Sequence, residues 1–242
     1  MRKAMLIGTA AAVVLLAGCG QSRAEDGGPT TQRSYQVGSF NEIEVAGPYD
    51  VKVKTGSGPT VSASGPEKLI ERLVVEVKGN KLLIHPKSER NFHWFGSGTH
   101  GSATIEVTAP ALRAAAIAGS GTINVDKVTG ADFDGSIGGS GDLMVESIDV
   151  KLLKLAIGGS GSVRAGSGRA QTASYDIGGS GDIDAEGVQA ENASISIAGS
   201  GSVAGQATGS ADVNVMGSGD VSLTGGAKCN VSKMGSGDVR CT

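Results

Sequence analysis

Seven Gly-Ser-Gly triplets stand in register between Ile117 and Val239, starting at Gly119, Gly139, Gly159, Gly179, Gly199, Gly217 and Gly235. Their spacings are 20, 20, 20, 20, 18 and 18 residues. A period of that length marks stacked supersecondary units, and it constrains the fold more than any other feature of the chain. Two positions before the first glycine of the first six triplets lie Ile117, Ile137, Ile157, Ile177, Ile197 and Val215. Four positions after it lie Ile123, Leu143, Val163, Ile183, Val203, Val221 and Val239. Apolar and polar residues alternate on both sides of the triplet, which is strand periodicity. No window carries sustained helical spacing with caps. Each unit therefore reads as strand, glycine corner, strand and looser return. One unit has an apolar face and nothing to bury it against. Stacking the next unit on it supplies that neighbour and lets backbone groups pair between coils. The expected fold is all-β, a right-handed parallel β-helix or solenoid of roughly 20-residue coils. Seven coils at about 4.8 Å each would make a rod of roughly 34 Å.

The corner composition follows from stacking. A tight corner needs backbone angles that a Cβ forbids, and stacked corners bring identical residues close together. The corner serines, Ser120 through Ser236, are placed to form a hydrogen-bonded ladder. The residue after each triplet runs Thr122, Asp142, Ser162, Asp182, Ser202, Asp220, Asp238. Through Ser202 the carboxylates skip alternate coils, which keeps like charges from stacking. Asp220 and Asp238 alone are adjacent. In the last coil Cys229 and Cys241 occupy core-facing slots, where an oxidising compartment would let them form a disulfide that pins the C-terminal end.

Forty glycines without a Gly-X-Y period exclude collagen, and 3% aromatic residues suit a narrow core of Ile, Val, Leu and Ala. Formal charge is −3, and without Arg2 and Lys3 of the leader the remainder carries −5. No basic stripe is present, so nucleic acid is not expected as a partner. Arg2 and Lys3 precede the apolar run Ala4–Ala17, a secretory signal peptide too short to span a membrane as a mature helix. It ends Leu16-Ala17-Gly18-Cys19, which resembles the lipobox of bacterial lipoproteins. The resemblance implies cleavage after residue 18 and lipidation of Cys19. A multi-chain anchor of that kind holds a protein on a membrane stably. Gly20, in place of the aspartate that retains such lipoproteins at the inner membrane, favours the outer membrane. Residues 19–34 then read as lipidated cysteine and polar tether, and 35–242 as one solenoid domain. Within it 35–112 would form irregular coils and 113–242 the regular ones.

The irregular part alternates at Phe40–Val45, Tyr49–Val53, Val61–Ala63, Leu73–Val77, Leu82–Ile84 and Ala103–Val107, with a helical turn near Gly65–Arg72 that has Pro66 at its start. The order Phe40-x-x-Ile43-x-Val45, Tyr49-x-Val51-x-Val53, Lys81-Leu82-x-Ile84, Ile105-x-Val107-x-x-Pro110-x-Leu112 and repeated Gly-Ser-Gly-Asp resembles the head GIN domain family of auto-transporter adhesins. The resemblance runs from about Phe40 to Val239, and the repeat is its most specific part. It implies a secreted or lipid-anchored β-helical adhesin and brings no catalytic residues. The chain departs from the family pattern at Thr122, Ser162 and Ser202, where the family prefers aspartate.

Few residues point to chemistry. The segment Asn91–His100 holds Phe92, His93, Trp94 and Phe95, including the single tryptophan. It reads as an aromatic plug over the N-terminal end of the core. The alternative is an exposed contact for a glycan, a membrane or an envelope protein. His85, His93 and His100 lack a metal spacing. Gly96–Gly101 fits G-x-G-x-x-G, but the strand reading of Ala103–Val107 denies it the helix a dinucleotide site needs. Gly-Gly-Ser-Gly-Asp resembles calcium-binding nonapeptide solenoids, yet alternate coils offer no carboxylate and a hard cation wants six to eight oxygens. Asp220 and Asp238 are the best pair for calcium. At about 4.8 Å apart they would also approach the separation of a retaining glycosidase. The aspartates follow the repeat instead of marking one special coil, and no aromatic platform accompanies them. The expectation is a lipid-anchored, non-enzymatic envelope protein without a cofactor, an adhesin or scaffold. A carbohydrate-active or calcium-dependent envelope protein is the alternative.

Overall fold

The computed structural model describes residues 28–87 and 102–242. They form a β-solenoid of about six turns with roughly 20-residue coils. Seven corners bound six intervals, so the repeat region is one coil shorter than a count of triplets implies, about 29 Å. The N-terminal part comprises β1 (Thr30–Tyr35), β2 (Glu42–Ala46), β3 (Tyr49–Thr55), β4 (Thr60–Pro66), the helix α1 (Glu67–Arg72), β5 (Leu73–Lys78), β6 (Lys81–Pro86), β7 (Ala103–Ala109) and β8 (Ala114–Gly119). The repeats follow as long bent strands β9 (Thr122–Gly139), β10 (Asp142–Gly159), β11 (Ser162–Gly179), β12 (Asp182–Gly199) and β13 (Ser202–Gly217). The last coil is split into β14 (Asp220–Thr224), β15 (Lys228–Gly235) and β16 (Val239–Cys241).

Neighbouring repeat strands pair in parallel, with Ile117 over Ile137, Ile157, Ile177, Ile197 and Val215 in one continuous register. Every member of that column is buried, as is the column from Ile123 to Val221. A third column runs Ala115, Gly135, Leu155, Tyr175, Ile195 and Val213. Volumes compensate between columns, because a narrow core must stay filled without overlap. Phe133 stands beside Gly135, where a Cβ would lie 2.7 Å from Leu143 and 2.9 Å from Leu155. Tyr175 stands beside Ala173 and reaches toward Gly205, where a Cβ would lie 3.3 Å from its ring. The Tyr175 hydroxyl is buried without a hydrogen-bond partner among the described residues, and burial pushes its pKa up.

At the corners the ladder is made by the backbone. Ser140 N–H donates to the Gly119 carbonyl (2.9 Å) and Asp142 N–H to that of Gly121 (3.0 Å), and the same pair of bonds recurs coil after coil. The corner serine hydroxyls form no ladder among the described residues, contrary to expectation. The corner glycines are required by the stack itself. At Gly159, φ is +142° and a Cβ would run into the Gly139 carbonyl, while at Gly141 one would lie 2.5 Å from the Gly121 oxygen.

Sequence order and stacking order part company in the N-terminal region. β3 pairs with β9 on one side and β7 on the other, and β2 pairs with β8 and β6. The β6–β7 coil, later in sequence, therefore lies outside the β2–β3 coil. Beyond it the ladder reverses, since β4 runs antiparallel to β7, β1 antiparallel to β4, and β5 antiparallel to β6. The expectation of parallel coils holds in the repeats and in the β2–β3 and β6–β7 coils, and only β1, β4 and β5 depart from it. Thr30–Tyr35 is a strand, so the tether expected to reach residue 34 gives way to ordered chain at about Thr30. Polar residues suffice there because β1 needs only its backbone to pair with the β4 edge. α1 joins β4 to β5 and buries Ile70 completely in the common core. The Arg33 guanidinium donates to the Ile70 carbonyl (3.5 Å), tying β1 to that helix. The Asn91–His100 segment, expected as the plug at this end, lies outside the described residues.

Candidate functional site

The residue after each triplet points outward and forms a column down one edge of the rod. Ser162 Oγ donates to Asp142 Oδ1 at 2.6 Å, and Ser202 donates to Asp182 Oδ1 through both its hydroxyl (2.5 Å) and its backbone N–H (3.2 Å). The alternation of Asp and Ser thus gives each of these carboxylates a hydroxyl donor on the next coil, besides separating the charges. Where the alternation stops, the Asp238 N–H donates to Asp220 Oδ1 at 2.8 Å. Asp220 and Asp238 share a cleft of about 190 Å³ with Ser202, Ser222 and Arg240, and the Arg240 guanidinium lies 4.0 Å from Asp238. Among the described residues no group of three or more His, Cys, Asp or Glu side chains is placed to hold a metal ion. Charges on neighbouring coils also pair as Arg164–Asp184 (3.2 Å) and as the two-pronged Arg113–Asp132 contact (2.7 Å). Hydrogen bonding to Asp132 raises the Arg113 pKa. On the β5–β6 hairpin Glu76 accepts from Lys78 and faces His85 (3.3 Å), and these contacts lower its pKa.

The last coil differs from the others in what covers it. β15 pairs only with β13 and β16 only with β14, so among the described residues the outer edges of both have no strand beside them. Val231 continues the column of Ile195 (0% exposed) and Val213 (1%), yet is itself 45% exposed. Met216 and Met234 are stacked on the outer side of the same edge and are the most exposed large apolar residues described, at 63% and 72%. Lys233 occupies the slot below Val215, in the column that is Ile or Val everywhere above it, and its amine donates to the Gly237 carbonyl at 2.6 Å. Cys229 and Cys241, both half-buried, are joined by a disulfide that ties β15 to β16 across this open coil.

Residue reasoning brought Asp220, Asp238, Cys229 and Cys241 to this end but missed Val231 and Lys233. The signal was available: Lys233 sits two positions before the last triplet, where every earlier coil carries Ile or Val. Phe92, His93, Trp94, Phe95 and Cys19 fall outside the described residues. A second open groove, about 430 Å³, lies at the N-terminal corners between Gly47, Pro86, Ser120 and Ser140. No described helix is long and apolar enough to cross a membrane.

A family model described as "Putative auto-transporter adhesin, head GIN domain" matches residues 39–227. No curated protein matches the chain. Among solved structures, a putative adhesin from Bacteroides fragilis is similar at TM-score 0.80 and 24% identity, over 88% of this chain and 97% of that one. A protein from Parabacteroides distasonis described as a putative lipid binding protein is similar at TM-score 0.71 and 27% identity, over 89% and 97%. A putative adhesin from Parabacteroides merdae is similar at TM-score 0.69 and 20% identity, over 90% and 98%.

Proposed function

The chain belongs to the head GIN domain family of auto-transporter adhesins, and on that premise we propose that it is a lipid-anchored, non-enzymatic β-solenoid of the bacterial cell envelope. It works there as an adhesin or scaffold. The observation that carries the reading is the use the rod makes of its own repeated polar groups. The Asp142 and Asp182 carboxylates accept from serines one coil along. The ladder thereby becomes a stiff support, and contact is left to the faces and the open end. The polar segment after Cys19 would hold that rod off the bilayer. Lipidation of Cys19 supplies the anchor, and Gly20 directs it to the outer membrane.

Two measurements test this. Wild-type protein should incorporate labelled palmitate and fractionate with the outer membrane, while Cys19→Ala should be unlabelled and soluble. Protease shaving of intact cells should then release solenoid fragments if the rod faces outward. A soluble, unlabelled wild-type protein would remove the anchor. Polysaccharide turnover that Asp220→Asn abolishes would replace the adhesin with an enzyme.

A further inference from the structure

We propose that the C-terminal edge of the solenoid binds an extended segment of another protein as one more parallel coil, reading an aliphatic residue above Val231 and a carboxylate above Lys233. The proposal rests on the protein being a binding module and is independent of how it is anchored. An unpaired strand edge is a template for strand addition, with main-chain hydrogen bonds giving affinity and alternate side-chain slots giving specificity. Here both components are laid out. Seven of the eight β15 residues are exposed, and no described strand pairs with its outer side. The disulfide fixes β15 against β16, so the template is held before any partner arrives.

The columns specify the occupant. Each strand step from β9 to β15 is parallel, and past the shifts between Ala185 and Asn192 in β12 the register runs unbroken to Gly235, so a further step sets its residues directly over Cys229, Val231 and Lys233 on the inner side. Val231 is an aliphatic side chain left 45% exposed in a column that is otherwise buried, and it calls for an aliphatic cover. Lys233 places an ammonium where six coils carry Ile or Val, and its complement two residues along is a carboxylate. On the outer side Met216 and Met234 leave an apolar stack for the next residue to extend.

A second copy of this chain does not fit. Its own β15 repeats Lys228 and Lys233 and offers no carboxylate. Its N-terminal edges are β1, which carries Arg33 and no acid, and β5, where Glu76 follows Val74 on one face but is already held by Lys78 (2.6 Å) and His85 (3.3 Å). Charge favours a foreign acidic strand as well. Residues 225–242 carry Lys228, Lys233 and Arg240 against Asp238.

The test uses full-length mature protein and a fluorescein-labelled peptide, Thr-Val-Thr-Val-Thr-Glu-Leu-Gly, whose second, fourth and sixth residues match the three inner slots. Anisotropy should show saturable binding, and the same peptide with Lys for Glu should bind at least about tenfold more weakly, the loss expected when like charges face each other. Lys233→Glu should invert that preference, and Val231→Lys should remove binding of both peptides. Should either variant fold poorly, the Glu and Lys peptides compared on wild type still decide. Absence of binding at millimolar peptide, or equal binding of the two peptides, overturns the proposal and leaves the envelope adhesin standing. Sedimentation showing a wild-type dimer that Val231→Lys dissolves would assign the edge to a second copy and overturn it too.

Discussion

The two ends of the rod solve the same problem differently. A stack of coils leaves an open core and unpaired edges at each end. At the N-terminal end the strand direction reverses in β4, β1 and β5, and α1 places Ile70 in the core. At the C-terminal end Val231 is half-exposed, Lys233 stands in an aliphatic slot and a disulfide ties β15 to β16. One end covers its core with a helix, although among the described residues β1 and β5 keep an unpaired edge. The other is kept rigid while its edge stays available. The difference shows that a solenoid need not close its two ends alike.

The largest effects should come from the part both ends depend on, the stacked corner. Gly141→Ala is expected to cost about 3–4 kcal/mol, because its Cβ would lie 2.5 Å from the Gly121 carbonyl of the coil above. Gly58→Ala, where nothing lies within 4 Å, should cost less than about 0.5 kcal/mol. Urea unfolding of the two variants checks the contrast, and equal losses would mean that stacking is not what the corner glycine serves. Ile70→Ala should cost about 3 kcal/mol and shift the whole unfolding transition, since it opens the sealed end.

Reduction of the disulfide, or Cys229→Ala with Cys241→Ala, should lower stability by up to about 3 kcal/mol for a loop of this length. Its signature is local: hydrogen exchange should accelerate in residues 220–242 and stay unchanged in β9 to β12. Acceleration at the N-terminal end would break the comparison. Asp182→Ala should cost less than about 1 kcal/mol, because both bonds it removes, from the Ser202 hydroxyl and N–H, are exposed. Tyr175→Phe should be neutral or stabilising by up to about 1 kcal/mol, since it deletes a buried hydroxyl with no partner. A loss above that would reveal a partner for the hydroxyl.

Much of this could be read from particular residues. The spacing of Ile117 through Val215 placed them in one buried column, and the glycines beside Ser140 or Ser160 announced the corner. The alternation of Asp142, Ser162, Asp182 and Ser202 was legible as charge separation, but its hydrogen bonds were not, because they depend on which side-chain arms can span a coil step. The corner hydroxyls were assigned a ladder, whereas backbone N–H groups make the one at the corners. At the open end Cys229 and Cys241 stood out by type, whereas Val231 and Lys233 acquired meaning only once nothing was seen to lie on top of them.

The sequence by itself determined the period, the inward and outward sides of every coil and the need for glycine at the corner. All of these follow from contacts between a residue and its equivalent one repeat away, so they leave a periodic trace. Only the tertiary structure decided that β6 and β7 lie outside β2 and β3, that β1, β4 and β5 reverse direction, and that one end is sealed while the other is open. Those choices rest on which distant strand reaches an edge first and on what remains uncovered afterwards. Backbone pairing at an edge makes little demand on side chains, so neither outcome writes a pattern into the chain.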